Sequence, residues 1–569
     1  MLACTALVGC TSDDEPQVNN NDGLKNFVTK VSLSFPDINN SSRAYDPEDA
    51  VFSNGVPAEY EVNKIVVKFY DANKAYLGDG TTGEWTTNED GNTVTKYADV
   101  TFRSVYQPYY AVAFVNDPTT PADLQQKSIP DMKEVKFTDT QIPISTSANL
   151  TGEDFFMTNS SYKLDGVIVQ EVNVSGSTLE VVGEQTLEQV KATDGYKELP
   201  YADIYVERVV AKANLTVDLS KSTSNSAVTG QEGLYQLKYV DTNGNETDKF
   251  SNYAIKIAGW GLNGTNKNFY ALKKIENDWA NTWYGTGRSF WAIDDNYDAS
   301  AGTYLTAAEL AESVDKKVTT TNLSLNYYTL DEITGTVDTP QYCYENTNSA
   351  NTNKSAITHV VLKAQYYENN GTAWAPVAAN DYIYRINQTI YNATSMKTLV
   401  ANVLMSKYDF YTSSDATTSM DATTLVNNVI LDVNEYDVEA ITKIDLKEGI
   451  VAKKKDGTAA SVNDWTTEFN GGKIIGYKGG FCYYTIPIKH FETAELDDLG
   501  HYGIVRNHWY ELSVTSIAGF GEPGSSQPII PEEEEELKDW VVKCKININA
   551  WAKVTQGNIT VGGGNSAWD

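Results

Sequence analysis

Short segments rich in β-branched and aromatic residues recur along the whole 569-residue chain, and some of them alternate polar and apolar residues. They lie at residues 64–70, 109–115, 204–217, 253–257, 359–364, 483–488 and 509–517. Gly, Pro, Asn and Asp residues, which favour turns, separate these segments. Alternation with a period of two places every second side chain on one face of a β-strand. The sequence therefore predicts a mainly all-β fold made of β-sandwiches with a few short helices. The two clearest helices are predicted at residues 306–314 and 394–407.

The overall composition excludes one class of partner. The formal net charge is −32, so a nucleic acid backbone would be repelled. Five cysteines are scattered at positions without metal or redox spacing. Those at 343, 482 and 544 are predicted to be small buried apolar residues.

The N-terminus resembles the leader of a lipoprotein. Small and apolar residues run from Leu7 to Gly9 into Cys10, and polar residues follow. This pattern predicts acylation of Cys10 after cleavage behind Gly9, and acyl chains bind a membrane with about 0.8 kcal/mol per buried CH₂ group. Because few residues precede this motif, we expect the true start of the leader to lie further upstream.

A strand and a polar loop follow the leader. Residues 27–35 alternate, with Phe27, Val31, Leu33 and Phe35 on one face, which predicts a half-buried strand. The loop that follows contains Arg43 and Ala44, and small polar loops are preferred sites of proteolysis. Cleavage between these two residues would release the strand together with the lipid. The alternative is an ordinary loop arginine.

The C-terminus repeats the strand pattern behind an acidic linker. A run of glutamates, 532–536, forms a solvated spacer. The apolar residues beyond it are Val542, Cys544, Ile546, Ile548, Trp551, Val554, Ile559 and Val561. Such a tail can complete the sheet of a second copy by strand addition, in which backbone hydrogen bonds supply affinity. The alternative is an ordinary last strand of its own domain.

Signatures of enzyme chemistry are missing from the sequence. It has no H-E-x-x-H, no phosphate-binding P-loop and no G-x-S-x-G motif. The glycines at 259, 261 and 264 match G-x-G-x-x-G, but turn and strand residues follow them where a helix would be required. We therefore predict no catalytic, cofactor-binding or metal-ligating residues, and no enzyme.

An aromatic cluster leaves two interpretations open. Trp279, Trp283, Tyr284 and Trp291 lie within one short segment. They can form a platform for carbohydrate, or they can anchor a loop on a sandwich core.

Several segments together resemble the fimbrillins of Bacteroidales, subunits of the type V pilus, and in particular the major subunit of the short fimbria. These segments are residues 39–44, 155–158, 206–213, 505–520 and 546–554. The resemblance implies two transthyretin-like β-sandwich domains, export as a lipoprotein to the outer membrane, and cleavage between Arg43 and Ala44 by an arginine-specific protease. It also implies that residues 542–561 of one copy insert into the next as a donor strand.

We accordingly predict a structural stalk subunit of a cell-surface fimbria that supports adhesion. The predicted partners are other copies of the chain, the processing protease, and anchor and tip subunits; the membrane is contacted only through the lipid of the precursor. The predicted division of the chain is a leader and spacer (1–23), an N-terminal sandwich (24–219), a C-terminal sandwich (220–520), an acidic linker (521–537), and the donor strand and tail (538–569). The alternatives are a monomeric glycan-binding surface lipoprotein and an anchor or tip subunit.

Overall fold

The computed structural model describes most of the chain between residues 23 and 549. The described residues are 23–34, 56–59, 61–90, 93–116, 126–140, 155–164, 167–222, 224–237, 239–240, 246–247, 250, 252–275, 292–297, 325–347, 356–387, 389–412, 418–434, 440, 442–466, 469, 474–490, 502–517, 519–530 and 542–549. The prediction of a mainly β fold is confirmed. Within these residues, no helix has the length and apolar character needed to cross a membrane.

The first thirteen strands lie before residue 209. They are β1 (Lys25–Ser34), β2 (Ile65–Tyr70), β3 (Tyr76–Thr82), β4 (Thr86–Asp90), β5 (Thr93–Ser104), β6 (Tyr110–Val115), β7 (Lys136–Thr138), β8 (Met157–Asn159), β9 (Tyr162–Leu164), β10 (Val167–Val169), β11 (Val172–Asn173), β12 (Thr178–Val181) and β13 (Ala202–Arg208).

The remaining strands follow from Val210 onward. They are β14 (Val210–Val217), β15 (Asn225–Ala227), β16 (Leu234–Leu237), β17 (Tyr239–Val240), β18 (Glu246–Thr247), β19 (Tyr253–Asn263), β20 (Thr265–Asn266), β21 (Asn268–Tyr270), β22 (Leu325–Asn326), β23 (Gln341–Tyr344), β24 (Asn346–Thr347), β25 (His359–Asn369), β26 (Trp374–Pro376), β27 (Tyr382–Ile386), β28 (Thr389–Asn392), β29 (Tyr408–Tyr411), β30 (Val429–Val433), β31 (Thr442–Leu446), β32 (Val451–Lys454), β33 (Ala459–Ala460), β34 (Ile474–Lys478), β35 (Phe481–Pro487), β36 (Gly503–Ile504), β37 (Trp509–Ile517), β38 (Glu522–Pro523) and β39 (Val542–Asn549).

The described helices are short except for one. They are α1 (Ile129–Met132), α2 (Leu187–Lys191), α3 (Asp194–Lys197), α4 (Ala393–Lys407), α5 (Ala422–Val426) and α6 (Val462–Thr466), with 3-10 turns at Pro57–Glu59, Ser175–Ser177, Leu219–Lys221 and Leu330–Glu332. The helix predicted at 394–407 is confirmed as α4. Asn392 caps its N-terminus, and Met396, Val400 and Leu404 are buried at helical spacing. The helix predicted at 306–314 lies outside the described residues.

The N-terminal strands pair in a closed circuit. Going around it, β1 pairs with β13, then β8, β6, β2, β3 and β5 follow in turn, and β5 pairs with β1 again. The strands enclose a hydrophobic core to which β1 contributes Phe27, Val31 and Leu33. Removal of β1 would therefore break the circuit at a single place, between β5 and β13.

The segment 204–217, predicted as one long strand, is two strands. β13 belongs to the first sheet, whereas β14 pairs with β23 and with β37 in a four-stranded sheet. Val209 separates the two strands. The chain therefore passes directly from one sheet to the next, and the backbone of this segment is shared by two cores.

The C-terminal part contains two further large cores. The first lies between the β14–β37 sheet and a seven-stranded sheet that includes β19, β25 and β35. The second surrounds α4, and the sequence did not indicate it. The N-terminal core also takes side chains from beyond residue 219, among them Phe269 and Tyr344. The domain limits given above stay a prediction.

Two local interpretations are corrected by the structure. The strand at 27–35 was expected to be half-buried, but Val28 on its other face is 0% exposed. Strands pair with β1 on both edges, and a segment around Leu199 covers this face. The turn and strand residues after Gly264 were expected to form a hairpin with the preceding strand. Its strand β21 instead pairs with β7, in the N-terminal part of the chain.

Candidate functional site

The first candidate feature is the position of β1, which has pairing partners on both edges. On one edge all ten of its residues pair antiparallel with β5. On the other edge its first half pairs antiparallel with β12, and its second half pairs parallel with β13. We call the space that β1 fills between these strands the β1 slot.

On the core-facing side of β1, which we call the bottom of the slot, apolar side chains hold the strand in place. The ring of Phe27 stacks on that of Phe102, with centroids 6.4 Å apart, and Phe102 in turn contacts Phe69 at 4.8 Å. Glycine at position 80 makes room for this packing, since a Cβ there would lie 2.4 Å from a methyl carbon of Val100. Burial of each large apolar side chain contributes about 1.5–3 kcal/mol.

Polar side chains of β1 make contacts on both faces of the strand. On the core-facing side, the hydroxyl of Thr29 is 2.8 Å from that of Thr178. On the opposite face, at the top of the slot, Ser32 donates a hydrogen bond to Asp203. Lys30 is buried and donates to the carbonyl of Leu199 at 2.8 Å. Its ammonium group also lies 4.5 Å from the ring centre of Tyr201, at a distance typical of cation–π contacts. A single lysine therefore makes several contacts in a nearly closed site.

The segment 187–201, which we call the cover segment, is bound to β5 across the top of β1. Asp99 of β5 accepts hydrogen bonds from Tyr196 and forms an ion pair with Lys191 at 2.9 Å. The hydrogen bond to Asp99 raises the pKa of Lys191. The rings of Tyr97 and Tyr201 also meet edge to face at 5.0 Å. These contacts link β5 to the cover segment directly and do not involve β1.

The C-terminal strand β39 occupies a different kind of position. It pairs antiparallel with β37, from Val542 opposite Ile517 to Asn549 opposite Trp509, with an irregularity near Ser516. Among the described residues, β37 is its single pairing partner. In an isolated chain, β39 is thus the edge strand of its own sheet, as the alternative interpretation of the tail expected.

The predicted site residues are only partly described. Val542, Cys544, Ile546 and Ile548 lie on β39. Cys10, Arg43, Ala44, Trp551, Val554, Ile559 and Val561 lie outside the described residues, as does the aromatic cluster at 279–291. The slot residues were missed in the sequence, although Lys30, a lysine in the middle of the predicted strand at 27–35, was a usable signal. Cys343 and Cys482 are buried, as predicted.

The motifs that carried the family resemblance meet in a buried polar junction. Glu207 of β13 pairs with Lys273 at 2.9 Å, and Arg506 pairs with Glu345. Burial raises the pKa of Glu207, although the positive charge of Lys273 opposes this effect. Nearby, Glu59 binds Lys212 at 2.7 Å. Each buried charge therefore has a partner of opposite sign, as such groups require, and the partners come from distant parts of the sequence.

Two buried histidines lie beside this junction. The Nδ1 atom of His490 and the hydroxyl of Tyr510 share a hydrogen bond of 2.7 Å, and the ring centres of His490 and His508 are 5.3 Å apart. Burial lowers the pKa of His508 to about 3 and that of His490 well below its ordinary value. Both rings are therefore neutral in the folded protein.

We predict that stability decreases as the pH falls below about 6.5, the pKa of an unfolded histidine. The unfolded chain then binds protons that the folded chain does not bind at His508, and at pH 5 this difference costs about 2 kcal/mol. In a His508→Gln variant, the loss of unfolding free energy between pH 7 and pH 5 should be smaller by about this amount. Denaturant unfolding at the two pH values measures it. An unchanged loss would contradict the burial of a neutral ring at this position.

Among the described residues of this β-rich chain, β1 thus pairs along both edges and β39 along one. Residues 476–557 match the family model described as major fimbrial subunit protein type IV, fimbrillin, C-terminal. This region includes β35, β37 and β39. Over these residues the chain is similar to the C-terminal region of fimbrillins, and the resemblance predicted from the sequence is confirmed. The prediction that the chain is not an enzyme agrees with this match, because the family consists of structural proteins.

Solved structures give weaker likenesses. A candidate cell adhesion protein from Parabacteroides distasonis is 12% identical, with 93% of this chain and 99% of that chain covered and a TM-score of 0.35. One from Bacteroides eggerthii is also 12% identical, with 93% and 98% covered and a TM-score of 0.34. A fimbrial assembly protein from P. distasonis is 10% identical, with 62% and 85% covered and a TM-score of 0.25. These scores are too low to establish a shared fold. No curated protein sequence matches the chain.

Proposed function

We propose that this protein is a stalk subunit of a cell-surface fimbria and polymerises when the C-terminal strand of one copy replaces β1 in the next. The observation that carries the proposal is the position of β1. It closes the N-terminal circuit of strands, and it is paired along both edges. Its removal would expose two rows of backbone hydrogen-bonding groups and an apolar core, which is a template for another strand.

Maturation would make the slot available. Acylation of Cys10 holds the precursor at the outer membrane, and an arginine-specific protease then cuts between Arg43 and Ala44. Because β1 ends at Ser34, this cut separates the strand from the rest of the chain. The sequence alone supports these two modification sites. The acylation site precedes β1 and the cleavage site follows it, so that one cut would separate the lipid and β1 together from the rest of the chain.

The exchange is favourable because the tail gains a second partner. In an isolated chain β39 pairs along one edge with β37, whereas a strand in the β1 slot pairs along both edges. Each added hydrogen bond contributes about 0.5–1.5 kcal/mol. The acidic linker before β39 gives the tail the reach to leave its own sheet. Anchor and tip subunits would end the polymer that other copies extend, and the whole fibre would support adhesion.

Treatment of purified precursor with an arginine-specific protease tests this function. The protein should lose its residues up to Arg43 and form a ladder of bands that withstands SDS without heating and collapses on boiling. An Arg43→Gln precursor is the matched control and should stay a single band. A cleaved wild-type protein that remains one band would refute the polymer and would favour a monomeric surface protein, such as the glycan-binding lipoprotein.

A further inference from the structure

The tail and β1 share a sequence pattern that aligns them in one register. When Trp540–Ile548 is aligned with Phe27–Phe35, every second position, beginning at Phe27, is apolar in both segments. The exception is Thr29, which aligns with Val542 of the tail. The same alignment pairs Val541 with Val28 and, most specifically, Lys543 with Lys30. Lys30 is the one lysine among residues 27–35, and in this alignment it coincides with a lysine of the tail.

Other registers conflict with the burial seen around β1. A shift by one residue would turn every apolar side chain of the tail to the opposite face. A shift by two in one direction would place Lys543 at the position of Val28, which is 0% exposed. A shift by two in the other direction would place Lys538 at the position of Phe27, in the apolar core. A charged group buried without a partner is strongly unfavourable.

We propose that residues 540–548 of a second copy bind in the β1 slot in the direction of β1, with Lys543 in the contacts of Lys30 and Lys545 beside Asp203. This inference rests on the proposed function and adds the register, which decides the residues that recognise the donor. The tail then runs antiparallel to β5 and parallel to β13, as β1 does.

The groups that surround the ammonium of Lys30 can bind the ammonium group of Lys543 in the same way. The carbonyl of Leu199 accepts a hydrogen bond there, and the ring of Tyr196 lies 5.1 Å from the ammonium. The hydrogen bond from Tyr196 to Asp99 keeps this ring in place independently of β1. Loss of β1 without a replacement would leave the Leu199 carbonyl without its lysine, and Lys543 restores this contact.

The position of Ser32 gives the tail a contact that β1 lacks. Ser32 is 0% exposed, as Val28 is, but unlike Val28 it lies beside a charge partner, because its hydroxyl reaches the carboxylate of the exposed Asp203. A lysine at this position can lay its apolar stem along the strand and bring its charge to the carboxylate. Lys545 therefore forms an ion pair with Asp203 that distinguishes the tail from the leader strand. Charge-assisted hydrogen bonds are stronger than neutral ones.

A native cysteine allows a direct test of the register. Cys544 would take the position of Val31, which pairs with Ala98 of β5. Opposite residues of antiparallel strands have Cα atoms about 4.5–5.5 Å apart, within the range that a disulfide spans. An Ala98→Cys chain, cleaved at Arg43 and oxidised, should give a ladder that withstands boiling without reductant and collapses with it. The precursor before cleavage should give none, because Val31 still fills the position.

A Val100→Cys chain is the matched control, since Val100 pairs with Thr29 and faces Cys544 only if the register is shifted by two. It should form the SDS-resistant ladder without covalent bands. Adding Cys544→Ser to Ala98→Cys should remove the covalent bands. Covalent bands with Val100→Cys in place of Ala98→Cys would overturn the register. A heat-sensitive ladder without covalent bands in either variant would overturn it too, while leaving polymerisation intact. No ladder from the unsubstituted chain would refute the proposed function itself.

Discussion

A chain that lacks residues 538–569 is expected to mature normally, to fold, and to form no polymers. The deletion removes β39, which makes no part of the N-terminal circuit and lies at the edge of the β37 sheet. The monomer therefore retains its cores, but its neighbour's slot receives no strand. SDS electrophoresis without heating, after cleavage at Arg43, measures the polymer, and circular dichroism measures the fold.

A shorter deletion provides the control for this prediction. Removal of residues 562–569 alone leaves every proposed donor residue in place, and the ladder should form as in the full chain. A ladder that persists after removal of 538–569 would show that another segment joins the copies, and the assignment of the donor strand would be wrong.

Substitution of Arg506 by Met is expected to destabilise the protein by about 3–5 kcal/mol, because it leaves a buried carboxylate without its charge partner. Arg506 and Glu345 are both fully buried, and Arg506 also donates to the carbonyl of Tyr270 at 2.8 Å. Chemical denaturation of the monomeric chain measures the loss of unfolding free energy.

Two further variants separate the buried charge from simple loss of packing. The double variant Arg506→Met with Glu345→Gln removes both charges and should recover much of the lost stability. Lys443→Met breaks an exposed ion pair with Asp445, where solvent screens the charges, and should change stability little. Equal effects of Arg506→Met and Lys443→Met would contradict the role of the buried junction.

Strand segments were predictable from sequence where apolar, β-branched and aromatic residues cluster between turn residues, and this located β2, β6, β35 and β37 to within a few residues. Of these four, β37 shows the alternation of buried and less buried residues along most of its length, whereas β6 is buried on both faces. The burial of both faces of β1 was not predictable, since it depends on a cover segment that lies more than a hundred residues later in the sequence.

The sequence predicted the two terminal strands of the candidate site, but it did not predict the strands that form the β1 slot. Segment 542–549 forms a strand, as the tail pattern predicted, and the strand predicted at 27–35 lies at Lys25–Ser34. The slot itself depends on pairing between β1, β5 and β13, which local patterns do not encode. The buried junction escaped for the same reason, because Arg208 and Asn507 bind each other from 299 residues apart, and charged residues normally indicate an exposed surface.

The identity of the N-terminus in assembled fibres tests the central claim most directly. Filaments released from the cell surface, dissociated by boiling and analysed by N-terminal sequencing and mass spectrometry, should contain a chain that begins at Ala44 and no peptide with the sequence of β1. Fibres in which the chain still carries residues 27–35, or holds them as a separate fragment, would mean that β1 never left its slot and that the copies are joined in another way.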